Sequence, residues 1–498
     1  MNNSKKYTVG FKGLNLTEGW QDGDLIDCYN LSAERYPCIS QRAARTVEAS
    51  YITPECLHAK EGIMVIDGTR VLFNNHLVGT VSAGHHETAT IGNYIVIFPD
   101  KKALNVETGV FSDMEATLTA TGAEFTANSI TITGDVTGIR QNDAVTISGC
   151  VVAPENNKTL VVRGIENHKL TFYDNSFTAA TEAATITIKR DVPDLEHICE
   201  SNYRLWGTKG NTIYSSKFSD PFNFNVFDGL ASDSYYIEVG SDGDFTGCIP
   251  YSSHICFFKE NTLHKLYGSK PSNFQVVTSS VYGVQAGCER SLCIVNEQLL
   301  YKGVEGVYSY TGGVPELISS NFGTKRFSSA AAACDGERYY ISMRSGDEWG
   351  LYVYDVLRNM WLKEDETHAV DLALWDGDIY YLDADDKCMY RIDRTADHKD
   401  VEWSATFCPF NETMHETKGY SKFFFRVELA AGAWIKVDVK TDRDTQWQQV
   451  YSGHNERAKI VNIPVVPKWC DSVSIRIHGK GECIVRTFVR EFSVGGEC

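Results

Sequence analysis

The sequence has little that would build helices. Hardly any segment carries apolar residues at i, i+3, i+4 and i+7 over three turns, which excludes a helical bundle. Methionine occurs 7 times against 25 tyrosines and 24 phenylalanines, a balance that favours sheet. No run of roughly 18 apolar residues exists, so no helix is expected to span a membrane. No apolar stretch follows Met1–Lys6, and a signal peptide is not expected. The 15 cysteines include no CxxC pair, the nearest local spacing being Cys288 to Cys293. Several, such as Cys256, Cys293 and Cys483, sit in apolar runs where a thiol acts as a small hydrophobe. Reduced thiols are expected rather than a disulfide framework. Positive charge is scarce as well: 47 Lys and Arg face 65 Asp and Glu, a net charge of −18. Nucleic acid is held through Lys and Arg at its phosphates, so general electrostatic binding of DNA is excluded. HExxH, GxSxG and GxxxxGK[ST] are all missing, and the chain is not expected to be an enzyme.

What is present is a repeated hairpin. Apolar runs such as His254–Phe258 and Gln298–Tyr301 meet polar tips (Lys259–Asn261; Lys302–Gly306), and second runs follow at Thr262–Tyr267 and Val307–Tyr310. Short runs rich in Val, Ile, Phe and Tyr, broken by Gly and Asn, read as antiparallel strand pairs. The unit recurs at Asp67–Phe73, Gly92–Phe98, Ser201–Trp206, Asp335–Ile341 and Asp376–Leu382, making seven copies. Starts near 201, 253, 296, 335 and 376 recur at intervals of roughly 40–50 residues, the length of a four-stranded blade. The copies at 67 and 92 are closer together and are expected to share a blade or to form a short one. The fold expected is all-β: a six- or seven-bladed β-propeller with an inserted small β-barrel or sandwich and a C-terminal β-sandwich.

The domain boundaries follow from breaks in the repeat. Residues 1–60 are rich in polar and turn residues and read as an N-terminal arm with first strands. Residues 61–113 read as the first part of the propeller and 191–400 as its main part. Between them, 114–190 carries five short alternating strands at 129–133, 144–148, 159–162, 169–173 and 184–188, a separate small β domain. From 401 to 498 the alternation has period two, as in Trp434–Val439 and Ser472–Ile477, which marks sheets with one buried face.

Sites of chemistry are few. Asp22-Gly23-Asp24, Ser241–Asp244 and Asp383–Asp386 bring carboxylates together without the twelve-residue calcium pattern, and read as solvated tips. Glu364-Asp365-Glu366 reads as a solvated acidic loop. In His85-His86-Glu87, neighbouring residues of a strand point to opposite faces, so a metal site would need ligands from elsewhere. No catalytic, cofactor-binding or metal-binding residues, and no cofactor, are assigned. Tyr235-Tyr236, Trp349 and Trp375 are candidates for sugar stacking, but strand aromatics are more often core.

Several phrases occur together in order: Cys199–Gly207, Ser219–Phe224, Val239–Gly247, Phe258–Gly268 and Gly303–Tyr310. This set resembles β-propeller structural proteins of tailed bacteriophages and prophages, the group of the tail nozzle (tail tubular protein B) and of packaged-DNA stabilisation proteins. The resemblance covers about 195–400 well, the N-terminal arm weakly and the insert hardly at all. It implies a virion protein of the phage tail or head–tail axis, assembled in the host cytoplasm as a homo-oligomeric ring. Its partners would be other tail or connector proteins, with duplex DNA passing through without specific binding and no membrane insertion. Asp242, Asp244, Glu260, Glu305, Asp383, Asp385 and Asp386 are the candidate channel-facing acids. A receptor- or glycan-binding tail protein is the alternative, signalled by a solvent-facing aromatic groove. A sialidase-like hydrolase is a third reading, signalled by converging carboxylates.

Overall fold

A computed structural model describes residues 3–393, 400–454 and 459–495. Among them the chain is all-β, with many antiparallel sheets and only short 3-10 turns as helical elements. It divides into two compact units, residues 55–289 and residues 1–54 with 290–498.

The unit 55–289 holds four four-stranded sheets, at 54–80, 87–113, 197–238 and 247–280, each a simple meander in chain order. The copies at 67 and 92 therefore do not share a sheet: each has a four-stranded sheet of its own, short in residues, at 54–80 and 87–113. His76–Thr80 closes the first sheet before Glu87–Ile91 opens the next. First strands of successive sheets lie side by side: Glu87–Ile91 beside His197–Ser201, and His197–Ser201 beside Gly247–Tyr251. Apolar side chains fill the space between sheets. Ala89, Val96, Leu205 and Phe222 form one such cluster, and Trp206, Ile213, Phe257 and Leu266 another.

The insert is a closed barrel of six strands rather than five. The additional strand, Ala116–Thr126, pairs with Ala180–Arg190 along most of its length. Its small residues (ATLTATGAEFT) conceal the period, and Gly122, at a φ of +85°, absorbs the register shift between Thr121 and Ala123. Ile130, Val145, Val162, Leu170, Phe172 and Ile186 fill the interior. A buried polar latch holds the barrel's base. Asp143 pairs with Arg190, whose Nε donates to Met114 O at 3.0 Å. Asn223, from the sheet 197–238, donates to Asp143 at 3.1 Å and accepts Ala144 N at 2.8 Å. The Arg140 guanidinium lies 3.6 Å over Phe222.

Because Ala116 pairs with Arg190, the barrel leaves and returns at one point. Replacing Glu115–Lys189 by a short Gly/Ser linker is therefore expected to leave soluble, β-rich protein, slightly less stable because Asn223 and Phe222 lose their covering. Circular dichroism and denaturant titration check this. Loss of soluble folded protein would show that the barrel is part of the sheets' own core.

The other unit holds three four-stranded sheets, at 293–317, 329–365 and 369–393. The last takes its fourth strand, Ala44–Ser50, from the N-terminal segment. Here too first strands adjoin, Cys293–Val295 beside Ser329–Cys334 beside Ala369–Trp375. Two larger sheets complete the unit. One contains Lys418–Leu429 and Cys483–Val494 and takes in Asn3–Thr8, Leu31–Ser32 and Ile39–Gln41. The other contains Glu402–Phe407, Trp434–Thr441 and Val473–Lys480 and takes in Asp24–Tyr29. Phe407 of one meets Phe488 of the other at a ring-centroid distance of 5.9 Å. The sandwich is thus not C-terminal alone. Strands between Asn3 and Gln41 are woven through it, while Ala44–Ser50 and Pro54–Ala59 join four-stranded sheets, so the described part of 1–60 is strand in several sheets instead of an arm. The 14 cysteines described are free thiols; Cys498 lies outside the described residues.

Candidate functional site

Three polar clusters bring together chemistry-bearing side chains. The first begins at the mouth of two first strands in the unit 55–289. His85 and His86 lie just ahead of the strand Glu87–Ile91, and the two imidazoles turn to different partners. His86 Nε2 lies 3.0 Å from Asp100. His85 Nε2 lies 3.4 Å from Glu87 Oε1 and 3.4 Å from Glu289 Oε1, the latter in the 3-10 turn Glu289–Ser291. Behind Glu87 stands His197, the first residue of its strand, with Nδ1 3.7 Å from Glu87 Oε1 and Nε2 3.0 Å from Phe245 O. The Phe245 carbonyl can only accept, so His197 Nε2 carries a hydrogen.

Burial works to raise the Glu87 pKa, but the polar contacts and charge of His197 and His85 outweigh it and hold the carboxyl down at about 2. His197 moves the opposite way: burial opposes its charge, and Glu87 and Glu289 raise its pKa nonetheless. One strand over, burial and the neighbouring Cys199 push the Cys248 thiol well up, so it is offered as a thiol. The sequence offered His85-His86-Glu87 only as a stretch whose metal site would need ligands from elsewhere. Glu289 and His197 carry no local signal.

The second cluster is the nearest approach to a nucleophile and base. Ser241 Oγ lies 2.9 Å from His264 Nε2, and His264 Nδ1 lies 2.9 Å from Thr278 Oγ1. The third member is a neutral hydroxyl, which cannot stabilise an imidazolium as a carboxylate does. Burial, with the Lys259 charge, lowers the His264 pKa to about 4, far from the range of a working general base. The arrangement secures a turn.

The third cluster overturns two solvated readings. Glu364 and Asp365 end the strand Met360–Asp365 and are largely buried against Arg42 and Arg45. Asp24 is buried and accepts Gln21 N and Asn15 Nδ2, each at 2.8 Å. Asp22 meets Arg490 at 2.9 Å. For Glu364, Asp365 and Asp22 the partner comes from a distant part of the chain, while Asp24 is tied within its own turn.

Six of the seven acids singled out from sequence occupy turns or links, and Asp383 ends the second strand of its sheet, Asp378–Asp383. Asp242 and Asp244 are exposed between Glu238 and Gly247, where one sheet leads into the next. Glu260 is at the tip between the second and third strands of its sheet and accepts Ala286 N at 3.1 Å. Glu305 is at the corresponding tip of the sheet 293–317 and pairs with Arg326 at 3.1 Å. Asp383, Asp385 and Asp386 form that tip in the sheet 369–393. Asp383 accepts Asp385 N at 2.9 Å, and Asp386 accepts from Tyr390 OH. Both the tip after a second strand and the link into a first strand lie at the end where the first strand starts, because the meanders are antiparallel.

The stacking candidates divide. Trp349 stacks on His368 at 3.8 Å, and Trp375 is half-buried. Tyr236 is 61% exposed and Phe227 54%, their ring centroids 5.7 Å apart, beside Leu230, Lys270 and Pro271 in a groove of about 460 Å³.

No family model matches the chain, and no curated protein matches it. Among solved structures, BamB from Moraxella catarrhalis is 11% identical, covering 72% of this chain and 100% of that one at a TM-score of 0.37. The computationally designed Ika8 protein is 11% identical, covering 69% and 97% at a TM-score of 0.33. An exo-beta-1,3-galactanase from Phanerochaete chrysosporium is 9% identical, covering 58% and 92% at a TM-score of 0.23. Similarity at this level carries no argument for activity or partners.

Proposed function

We propose that the chain is a structural subunit of a bacteriophage virion, of the tail nozzle or head–tail connector kind. In this reading its seven four-stranded sheets are the blades of one propeller, and copies of the subunit form a ring on the DNA path. The observation that carries the reading is the placement of the seven acids. Each sits at the end of its sheet where the first strand starts, six of them on turns or links and Asp383 as the last residue of its strand. A rim of carboxylates repels the phosphates of passing DNA and leaves the duplex nothing to hold. The Ser241–His264 pair, with its weak base, adds no hydrolytic chemistry.

Electron microscopy of the purified chain and of particles containing it tests the proposal, together with a DNA-binding titration. Ring assemblies on the particle axis and no measurable affinity for duplex DNA at physiological salt are expected. A salt-sensitive micromolar affinity, or density on an outer fibre, would overturn it. The groove at Phe227 and Tyr236 favours the second reading, a glycan-binding tail protein. Saccharide binding that disappears in Tyr236→Ala would establish that reading in place of the ring.

A further inference from the structure

The spacing within the cluster at His85 fits a cation site better than a set of hydrogen bonds. His85 Nε2 faces two carboxylate oxygens at 3.4 Å each, while charge-assisted N–H···O bonds close to about 2.7–2.9 Å. A single N–H cannot point at both. The ligand atoms of His85, Glu87 and Glu289 all lie within 4.8 Å of one another, so two carboxylates share one small space. Metal–ligand bonds of about 2.0–2.1 Å in a tetrahedron set ligand atoms about 3.3 Å apart, close to the two 3.4 Å distances from His85 Nε2.

We propose that His85 Nε2, Glu87 and Glu289 bind a divalent transition metal of the zinc class, leaving a position open to water. One imidazole with two carboxylates suits zinc and its neighbours, whereas calcium and magnesium take oxygen ligands almost alone. His197 is the positioning residue. Its Nε2 hydrogen is tied to Phe245 O, which fixes the ring so that Nδ1 faces Glu87, the outer-shell arrangement that orients a metal-binding carboxylate. Nδ1 is buried, and Glu87 Oε1 at 3.7 Å is the polar group it faces. The metal would clip the segment at 85–87 to the 3-10 turn at 289, which no strand pairing joins. It is a structural role, independent of the virion reading.

The test is zinc titration of the full chain by calorimetry, with cobalt(II) absorption as a second readout. One zinc per chain is expected, with a raised unfolding temperature and a cobalt spectrum of nitrogen and oxygen ligation. His85→Ala, at an exposed position, and Glu289→Gln, nearly isosteric, should each weaken zinc binding more than tenfold. Without metal, both should unfold as the unaltered protein does. His197→Gln should weaken binding by about 10–100-fold, the usual cost of losing an outer-shell partner. Zinc binding that is unchanged in His85→Ala and Glu289→Gln would assign the metal to other surface histidines and overturn the site. So would the absence of stoichiometric binding in the unaltered chain.

Discussion

Replacing Arg490 by methionine is expected to destabilise the unit formed by 1–54 and 290–498 by about 3–5 kcal/mol, the cost of leaving a buried ion pair without one partner. The guanidinium is 1% exposed, and so is the Glu412 carboxylate it meets at 2.6 Å through Nε and 3.1 Å through Nη2. Nη1 donates to Thr8 Oγ1 at 2.6 Å and Nη2 also to Asp22 at 2.9 Å, while the plane lies 3.8 Å over the Phe410 ring. Burial alone would lower its pKa, but Glu412 and Asp22 outweigh that and raise it, so the group is held as a cation.

Methionine would fill much of the volume and leave Glu412 facing Tyr420 OH, its remaining donor here, at 3.2 Å. Arg490→Lys keeps the charge but not the planar fork, and should recover only part of the loss. Arg490→Met combined with Glu412→Gln should be less destabilised than the sum of the single changes, since the uncompensated charge is gone. Denaturant unfolding measures all three. A single change costing under about 1 kcal/mol would mean that water reaches Glu412 and that the pair is not sealed.

Arg490 also shows where sequence reading stops. Hairpins were legible because their signals are local. Apolar runs of Val, Ile, Phe and Tyr end at Gly or Asn tips, and residues such as Asn202 (φ +53°) and Asp376 (φ +49°) supply the left-handed backbone those turns need. The partners of charged residues are not local. Glu364 and Asp365 look like part of a solvated loop until Arg42 and Arg45 arrive from the other end of the unit. Asp22 looks like a turn residue until Arg490 reaches it. The His85 cluster is the same case, with Glu289 and His197 invisible from the sequence around Glu87. The strand Ala116–Thr126 was missed for another reason: alternation of Ala, Thr and Gly carries too little contrast in hydrophobicity to register as a period.

The same physics makes Arg45 the other strong test, since it joins the N-terminal strand Ala44–Ser50 to two sheets at once. It meets Glu364 at 2.7 Å and Asp365 at 2.6 Å, all three side chains being at most 13% exposed. It donates to Thr367 Oγ1 at 2.7 Å and lies 5.3 Å over the Tyr381 ring. Arg42, 3.6 Å from Asp365, is a weaker second cation. Arg45→Met is therefore expected to cost about 3–5 kcal/mol and to loosen the 44–50 strand first. Limited proteolysis should cut near residue 44 well before the rest of the unit.

A pH signature separates loss of the pair from loss of mere packing. Burial would raise the Asp365 pKa, yet Arg45, Thr367 and Arg42 hold it below the ordinary carboxylate value. A depressed folded-state pKa contributes stability that is fully present above about pH 4, the unfolded value, and is lost as pH falls through the lower folded value. The unaltered protein should lose stability on acidification through that window, and Arg45→Met should lose less over the same range because part of the contribution is already gone. Equal acid slopes in the two proteins, measured by denaturant unfolding from neutral pH down through the carboxylate range, would show that Arg45 acts by filling space and not by its charge.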